Sequence, residues 1–285
     1  IKTLAGNGPV LYTTTMTELP LGKTTSYPDH YAPDTLCRID RAGNRERIGL
    51  GKVVPFSGVD IWNAWDLTWL DERGQPQTAT AEIRIPADSP GIVESKSMKL
   101  YLGSFAMSGY ASPAAVRDLI AADLGKCAGA AVSVRIETLG ASQARGLQRL
   151  PGESLDPISA ECTDWEVDSG LLRADADTVV REDLYTDALR SLCPVTGQPD
   201  LGSVLVCYEG PRIERASLLR YIVSYRQHQD FHENCVERMF VDIVERCGAQ
   251  KLTVYARYQR RGGIDINPFR SNFEDAPKNL RLWRQ

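Results

Sequence analysis

The sequence predicts an α+β fold built from tandem duplicated domains, each an antiparallel sheet carrying a pair of helices. The first observation behind this is an internal repeat: residues 94–139 align with 214–259 at a constant offset of 120 (214 − 94). The offset pairs Glu94 with Glu214, Ser97 with Ser217, Tyr101 with Tyr221, Ser104 with Ser224 and Phe105 with Tyr225. It holds without a gap through Val116 and Val236, Cys127 and Cys247, and Val134 and Val254, so it crosses several elements rather than one amphipathic helix. The second is the order of hydrophobic periods, which runs strand, two helices, strand in each half. The third is size: 285 residues, 42% hydrophobic and 25% charged, suit a globular chain of two domains.

In the first half Ile83 and Ile85 alternate as strand residues do, and Met98, Leu102 and Phe105 recur at helical spacing. Ser112 then caps a second helix with Pro113 in its first turn, ending at Gly125, and residues 132–136 form the closing strand. In the second half Val204 and Val206 mark the strand, and Leu218, Ile222 and Tyr225 the first helix. The second helix spans 231–247 with Gly248 as its stop, and residues 252–256 close the unit. Residues 141–168, rich in Gly, Ser, Pro and acidic side chains, are read as the linker between domains at 1–140 and 169–285. The start at Ile1 rather than Met leads to the expectation that residues precede it.

Composition excludes several classes of function. The chain has no apolar run near the roughly 20 residues that cross a bilayer, and no secretory leader pattern, so neither a membrane nor export is expected. Seven widely spread cysteines without a CxxC pair argue against a disulfide framework and against a structural zinc site, and fit a reducing cytoplasm. A net charge of −4 offers no broad basic surface, so a small molecule is expected as substrate and no direct nucleic-acid partner.

Residues 193–200 read Cys-Pro-Val-Thr-Gly-Gln-Pro-Asp, which sets the thiol of Cys193 and the carboxylate of Asp200 around a rigid turn. Such a turn lets a nucleophile and an acid face one reacting group. It is equally compatible with a packed cysteine and a capping aspartate. Upstream of the repeat, Gly74-Gln75-Pro76 matches Gly197-Gln198-Pro199 at an offset of 123 (197 − 74), so Cys193 falls opposite Leu70 and Asp200 opposite Gln77. His232 and Glu233 fall opposite Ser112 and Pro113, whereas Lys96 falls opposite Ala216. The chemistry is therefore sorted between the halves, which predicts one composite site per chain.

With these residues, Glu94-Ser-Lys-Ser-Met-Lys-Leu-Tyr101 and Phe231-His-Glu-Asn-Cys235 in hand, the chain resembles the NADPH-dependent 7-cyano-7-deazaguanine reductases, nitrile reductases of queuosine biosynthesis, in their long two-domain form. Residues 261–271, Arg-Gly-Gly-Ile-Asp-Ile-Asn-Pro-Phe-Arg-Ser, add a fourth matching segment. The resemblance implies two fused copies of a tunnelling fold (T-fold), chains pairing as a homodimer, NADPH as hydride donor and 7-cyano-7-deazaguanine as substrate. It implies that Cys193 attacks the nitrile to form a thioimide and that Asp200 donates a proton. For that donation the Asp200 pKa must be raised, or its proton supplied by the arriving thiol. Ile92, Val93, Glu94, His232 and Glu233 become the substrate contacts, with Phe231 covering the ring and Glu233 accepting the paired donors of a guanine-like edge. Ser95, Lys96, Arg261 and Gly262 become the cofactor contacts. No GxGxxG follows a strand, so a helix start, a lysine and an arginine fork would hold the phosphates instead. Oxidation could pair Cys235 with Cys193.

Three other readings share these residues. A thiol-dependent nitrile or amide hydrolase would use Cys193, Lys96 and a glutamate, release ammonia and ignore NADPH. Zinc-dependent cyclohydrolases share the tunnelling fold, although Cys193 lacks partners at metal-ligand spacing. A non-catalytic binding module for tRNA or protein would need none of the chemistry.

Overall fold

A computed structural model describes residues 26–51, 53–275 and 277–285. After β1 (Arg38–Asp40) and α1 (Ala42–Arg47) comes a long hairpin of β2 (Ser57–Leu70) and β3 (Pro76–Pro86). Then follow β4 (Gly91–Val93), α2 (Ser95–Gly103), α3 (Pro113–Ala128), β5 (Ser133–Thr138), α4 (Leu139–Ala144) and β6 (Glu153–Ser154). A second long hairpin, β7 (Ala174–Leu192) and β8 (Pro199–Ile213), precedes α5 (Arg215–Ser224), α6 (His232–Cys247), β9 (Lys251–Tyr258) and β10 (Ile264–Ser271).

The architecture is mixed α+β. Strands β5-β3-β2-β10-β9-β8-β7-β6 make one 8-stranded sheet, and β1 pairs with β4 apart from it. Every pairing is antiparallel except the short β6 with β7. The helices cover one face, where alternate strand residues pack into two cores. Trp62, Ile83 and Ile85 meet Met98, Phe105 and Ile120 in one; Val204, Val206 and Val254 meet Leu218, Met239 and Phe240 in the other. On the opposite face, Val59, Ile61, Leu205, Tyr255 and Phe269 are covered by Leu150 and Leu282.

The hairpin-helix-helix-strand runs repeat in register. Ile83 pairs with Val134 as Val206 pairs with Val254, and the ladders slip between Ala64 and Leu67 as they do between Thr186 and Leu189. Leu70 N–H donates to Ser108 O (3.0 Å) and Leu70 O accepts from Tyr110 N–H (2.9 Å). Leu192 makes the same two bonds, to His228 O (2.8 Å) and from Asp230 N–H (3.1 Å). Leu192, not Cys193, therefore occupies the place of Leu70.

Two further corrections concern the second helix of each run. The gapless offset fails there: the four buried residues of α3, Val116, Ile120, Leu124 and Ala128, correspond to Cys235, Met239, Ile243 and Cys247 of α6, one residue short of 120 (235 − 116 = 119). A one-residue difference in the preceding loop absorbs the slip without disturbing either core. The end predicted at Gly125 moves to Ala128, because Gly129 adopts a left-handed φ of 75° and its N–H closes on Gly125 O, as Gly248 does for α6 at φ 69°. β10 has no counterpart in the first run, where α4 follows β5 instead. Residues 141–168 hold the end of α4 and all of β6, and Leu155 is fully buried against β7 and β8. Among the described residues, no helix is long and apolar enough to cross a membrane.

Candidate active site

The turn between β7 and β8 bends back on itself. Cys193 N–H donates to Gln198 O (2.9 Å) and Gly197 N–H donates to Cys193 O (2.9 Å), so the thiol is fixed where the ladder ends. Cys193 is 6% exposed and lines a cavity together with Asp200, Phe231, His232 and Glu233. Val93, Ser95 and Lys99 complete the wall from the first run, with Arg261 from the β9–β10 turn and Ile264 from the start of β10.

Asp200 opens β8 and is buried, yet it does not stand alone. Arg261 Nη1 donates to one carboxylate oxygen, and His232 Nε2 lies 3.3 Å from the other. Burial pushes this carboxyl up, but the His232 and Arg261 charges and hydrogen bonds outweigh it and hold it below the usual aspartate range. Asp200 is therefore held as the ionised carboxylate rather than as a protonated acid. The Arg261 fork is occupied by Asp200 and by Gln198 Oε1 (2.6 Å).

His232 and Glu233 form the first turn of α6 after Phe231 at its N-cap. Glu233 is 2% exposed and its pKa rises to about 7, chiefly through burial and then through the nearby Asp60 carboxylate, with His232 and Arg41 pulling the other way. One turn further along, Glu237 accepts from Arg45 (2.8 and 2.9 Å) and from Arg270 (2.9 and 3.0 Å). Arg270 also pairs with Asp60 (2.8 Å), to which Arg41 donates (2.5 Å). This buried network ties α6 to α1, β2 and β10, and so anchors the turn that presents Glu233. Arg45, Arg41 and Asp60 carried no sequence motif that could have singled them out.

The residues expected from the first run are placed in different ways. Val93 and Ser95 reach the cavity, whereas Ile92 lies behind it, packed against Phe231 and Ile39. Glu94 is fully buried, and its carboxylate accepts from the backbone N–H groups of Lys96 and Ser97 (2.7 Å each), so it caps α2. Those two amides are therefore not free for a phosphate. Lys96 Nζ lies 2.6 Å from Tyr27 Oη, outside the cavity wall. Lys99, one turn later in the same motif, is the lysine that lines the wall, and burial together with the Arg261 charge lowers its pKa. Its spacing after Lys96 was the available signal. Gly262, at φ 61°, lets the Lys99 stem lie across the turn: a Cβ there would come within 3.2 Å of Lys99 Cε. Gln259 and Asp265 also line the cavity without having been singled out. Cys193 and Cys235 are both free thiols, and Cys235 is fully buried, which pushes its pKa well up. Among the described residues, no cluster of three or more His, Cys, Asp or Glu side chains is disposed to hold a metal ion.

A buried thiol and an ion-paired carboxylate share a cavity walled by both runs of the α+β sheet, the concave and polar kind of place in which enzymes hold a small substrate. Comparison with known proteins is specific. Residues 27–136 match the family described as nitrile reductase, 7-cyano-7-deazaguanine-reductase N-term, and residues 199–277 match the family described as QueF-like protein. A curated NADPH-dependent 7-cyano-7-deazaguanine reductase of Burkholderia thailandensis is 52% identical over 268 residues, covering 93% of this chain and 98% of the relative. The same-named protein of Burkholderia vietnamiensis is also 52% identical over 268 residues, with the same shares covered. The chain belongs to the family of NADPH-dependent 7-cyano-7-deazaguanine reductases. A solved structure of the archaeosine synthase QueF-Like in the apo form matches at 17% identity over 36% of this chain and 100% of that one, with a TM-score of 0.30.

Proposed function

We propose that this cavity reduces the nitrile of 7-cyano-7-deazaguanine to the primary amine, 7-aminomethyl-7-deazaguanine, with NADPH as the source of hydride, in the cytoplasmic synthesis of queuosine. The observation that carries the reading is the convergence of Cys193, Asp200, His232 and Glu233 on one cavity, closed by Val93 and Ser95 from the other run. The relatives named above support the substrate and the cofactor.

Glu233 accepts the two parallel donors of the guanine-like edge, and Phe231 walls the cavity beside it. Asp200, held ionised, takes the Cys193 thiol proton; the thiolate adds to the nitrile carbon and the nitrogen receives the proton, leaving a covalent thioimide. Bound NADPH would supply a hydride to the carbon at each of the two reduction stages, and the nitrogen takes one solvent-derived proton at each. Between them the Cys193–carbon bond breaks with a proton passing from nitrogen to sulfur, which leaves an imine and restores the thiol. Lys99, with Ser95 and Lys96 at the start of α2, offers positive charge and a hydroxyl for the cofactor's phosphates. The Gly262 cradle that leaves Lys99 room fits such a role, and Arg261 and Gly262 together form the turn facing it.

The repeated registers support a tandem pair of tunnelling-fold units descended from one ancestor; the homodimer stays an expectation of the family resemblance. Glu94 serves the substrate subsite through the end of β4 that it joins to α2. The test follows NADPH absorbance with the nitrile present, in this protein and in Cys193→Ala, while the amine is quantified. Two NADPH consumed per amine, and none in the variant, is the expected result. Ammonia release without NADPH consumption would replace the reading by hydrolysis.

A further inference from the structure

His232 does not rest on its own helix. Its ring lies flat on Tyr258, with centroids 3.7 Å apart and planes 5° from parallel, while Nε2 points at Asp200 (3.3 Å). Tyr258 closes β9, and both of its backbone polar groups are bonded. Its N–H donates to Asn267 Oδ1 (3.1 Å) and its carbonyl accepts from Gln285 Nε2 (2.6 Å). The ring is fully buried, with its hydroxyl end beside Ser191 and Cys235.

The sheet explains why the stack falls at this spot. Tyr258 pairs with Gly202, and Asp200 lies two residues before Gly202 on the same strand, so both face the helix side of the sheet. Gly202 has no side chain to intrude: a Cβ there would come within 3.2 Å of Tyr258 Cδ1. The Tyr258 ring can thus lie toward Asp200 and make a floor under the N-terminus of α6. His232 Nδ1 is buried with no hydrogen-bond partner, so ring contact and the Asp200 bond carry its orientation. The first run contains nothing equivalent: Ala79 stands in the place of Gly202 and Gln77 in that of Asp200.

We propose that Tyr258 is a positioning residue for the reaction: its ring holds His232 with Nε2 on Asp200, and so keeps the proton-handling pair aligned with Cys193. The proposal rests on the function argued above. The charged and titratable groups that line the cavity with the imidazole are Cys193 of the β7–β8 turn, Asp200 of β8, Arg261 of the β9–β10 turn, Asp265 of β10, Lys99 of α2, and Glu233 and Asp230 flanking it in its own segment. Tyr258 is the aromatic partner among them.

The stack has its own spectroscopic mark, independent of activity. A face-on aromatic ring shields the His232 carbon-bound protons, so their NMR resonances lie upfield in the wild type. Tyr258→Phe keeps the ring, and is expected to keep both the upfield shift and the wild-type kcat within about twofold. Tyr258→Leu should move the resonances downfield and lower kcat about tenfold to a hundredfold with KM nearly unchanged, the scale of an ångström-level misalignment. Gly202→Ala displaces the ring without removing it, and should shift the same resonances if Tyr258→Leu does not fold. A folded Tyr258→Leu with wild-type His232 resonances and wild-type kcat overturns the proposal. So does a wild type without the upfield shift. Should the wild type shift as expected yet consume no NADPH with the nitrile, the functional reading fails while the stack stands.

Discussion

Substrate affinity should depend on pH through Glu233. This carboxyl is 2% exposed and its pKa is raised from 4.5 to about 7 by burial and by Asp60. Only the ionised form offers both oxygens to two parallel donors, so binding selects it and expels the proton. With a free-site pKa of about 7, roughly nine sites in ten are protonated at pH 6 and one in ten at pH 8. The apparent Kd for 7-cyano-7-deazaguanine should therefore be about tenfold weaker at pH 6 than at pH 8, or about 1.4 kcal/mol. Isothermal titration calorimetry in two buffers of different ionisation heat reads both the Kd and the protons released, close to one per site at pH 6. Glu233→Gln should weaken binding by about 2 kcal/mol or more at pH 8 and remove the dependence. The sign for stability is opposite. A group whose folded pKa is raised favours the native state at low pH, and its contribution is lost as pH rises from 4.5 through about 7. Glu233→Gln should then raise the Tm at pH 8. A Kd flat between pH 6 and pH 8, or proton uptake on binding, would refute the reasoning.

Two further outcomes follow from buried carboxylates. Glu94→Ala removes the acceptor for the Lys96 and Ser97 amides, and should lower stability by about 1–2 kcal/mol in urea unfolding; an unchanged midpoint with unchanged slope would refute the capping role. Glu237→Gln leaves Arg45 and Arg270 without their shared countercharge, and should cost about 3–5 kcal/mol, with a loss under 1 kcal/mol counting against the network as an anchor of α6.

Much of the fold was legible because its elements have clean periods. The helices around Met98 and Leu218 and the strands at Ile83 and Val204 follow from apolar spacing alone, and Gly248 ends α6 where its backbone freedom predicts. The offset of 120 failed within α3 and α6 because similar letters, Val116 and Val236, matched a neighbouring register while the buried faces matched one residue away. Only packing distinguishes those alignments. At the site, the thiol, its aspartate and the residues after Phe231 are visible as motifs, whereas Lys96 and Lys99 share one motif and only the fold sets Lys99 in the cavity wall. Glu94 shows a different limit: a glutamate before a helix reads equally as a ligand contact or a cap, and its place under the first turn is a three-dimensional fact.

The sequence by itself determined the element types, the repetition and the residues able to do chemistry, because these depend on side-chain identity and on spacing within a few turns of chain. Tertiary structure decided which of them meet. Pairing of β10 with β2, from Ile264 opposite Ala64 to Ser271 opposite Ser57, joins the two runs into one sheet. That join brings the start of α2 and Cys193 to one cavity, sets Asp60 near enough to Glu233 to raise its pKa and brings Arg261 to Asp200. It also leaves Asp200 ionised and Glu233 prone to protonation, since a pKa answers to burial and neighbouring charge, and both are properties of the packed chain.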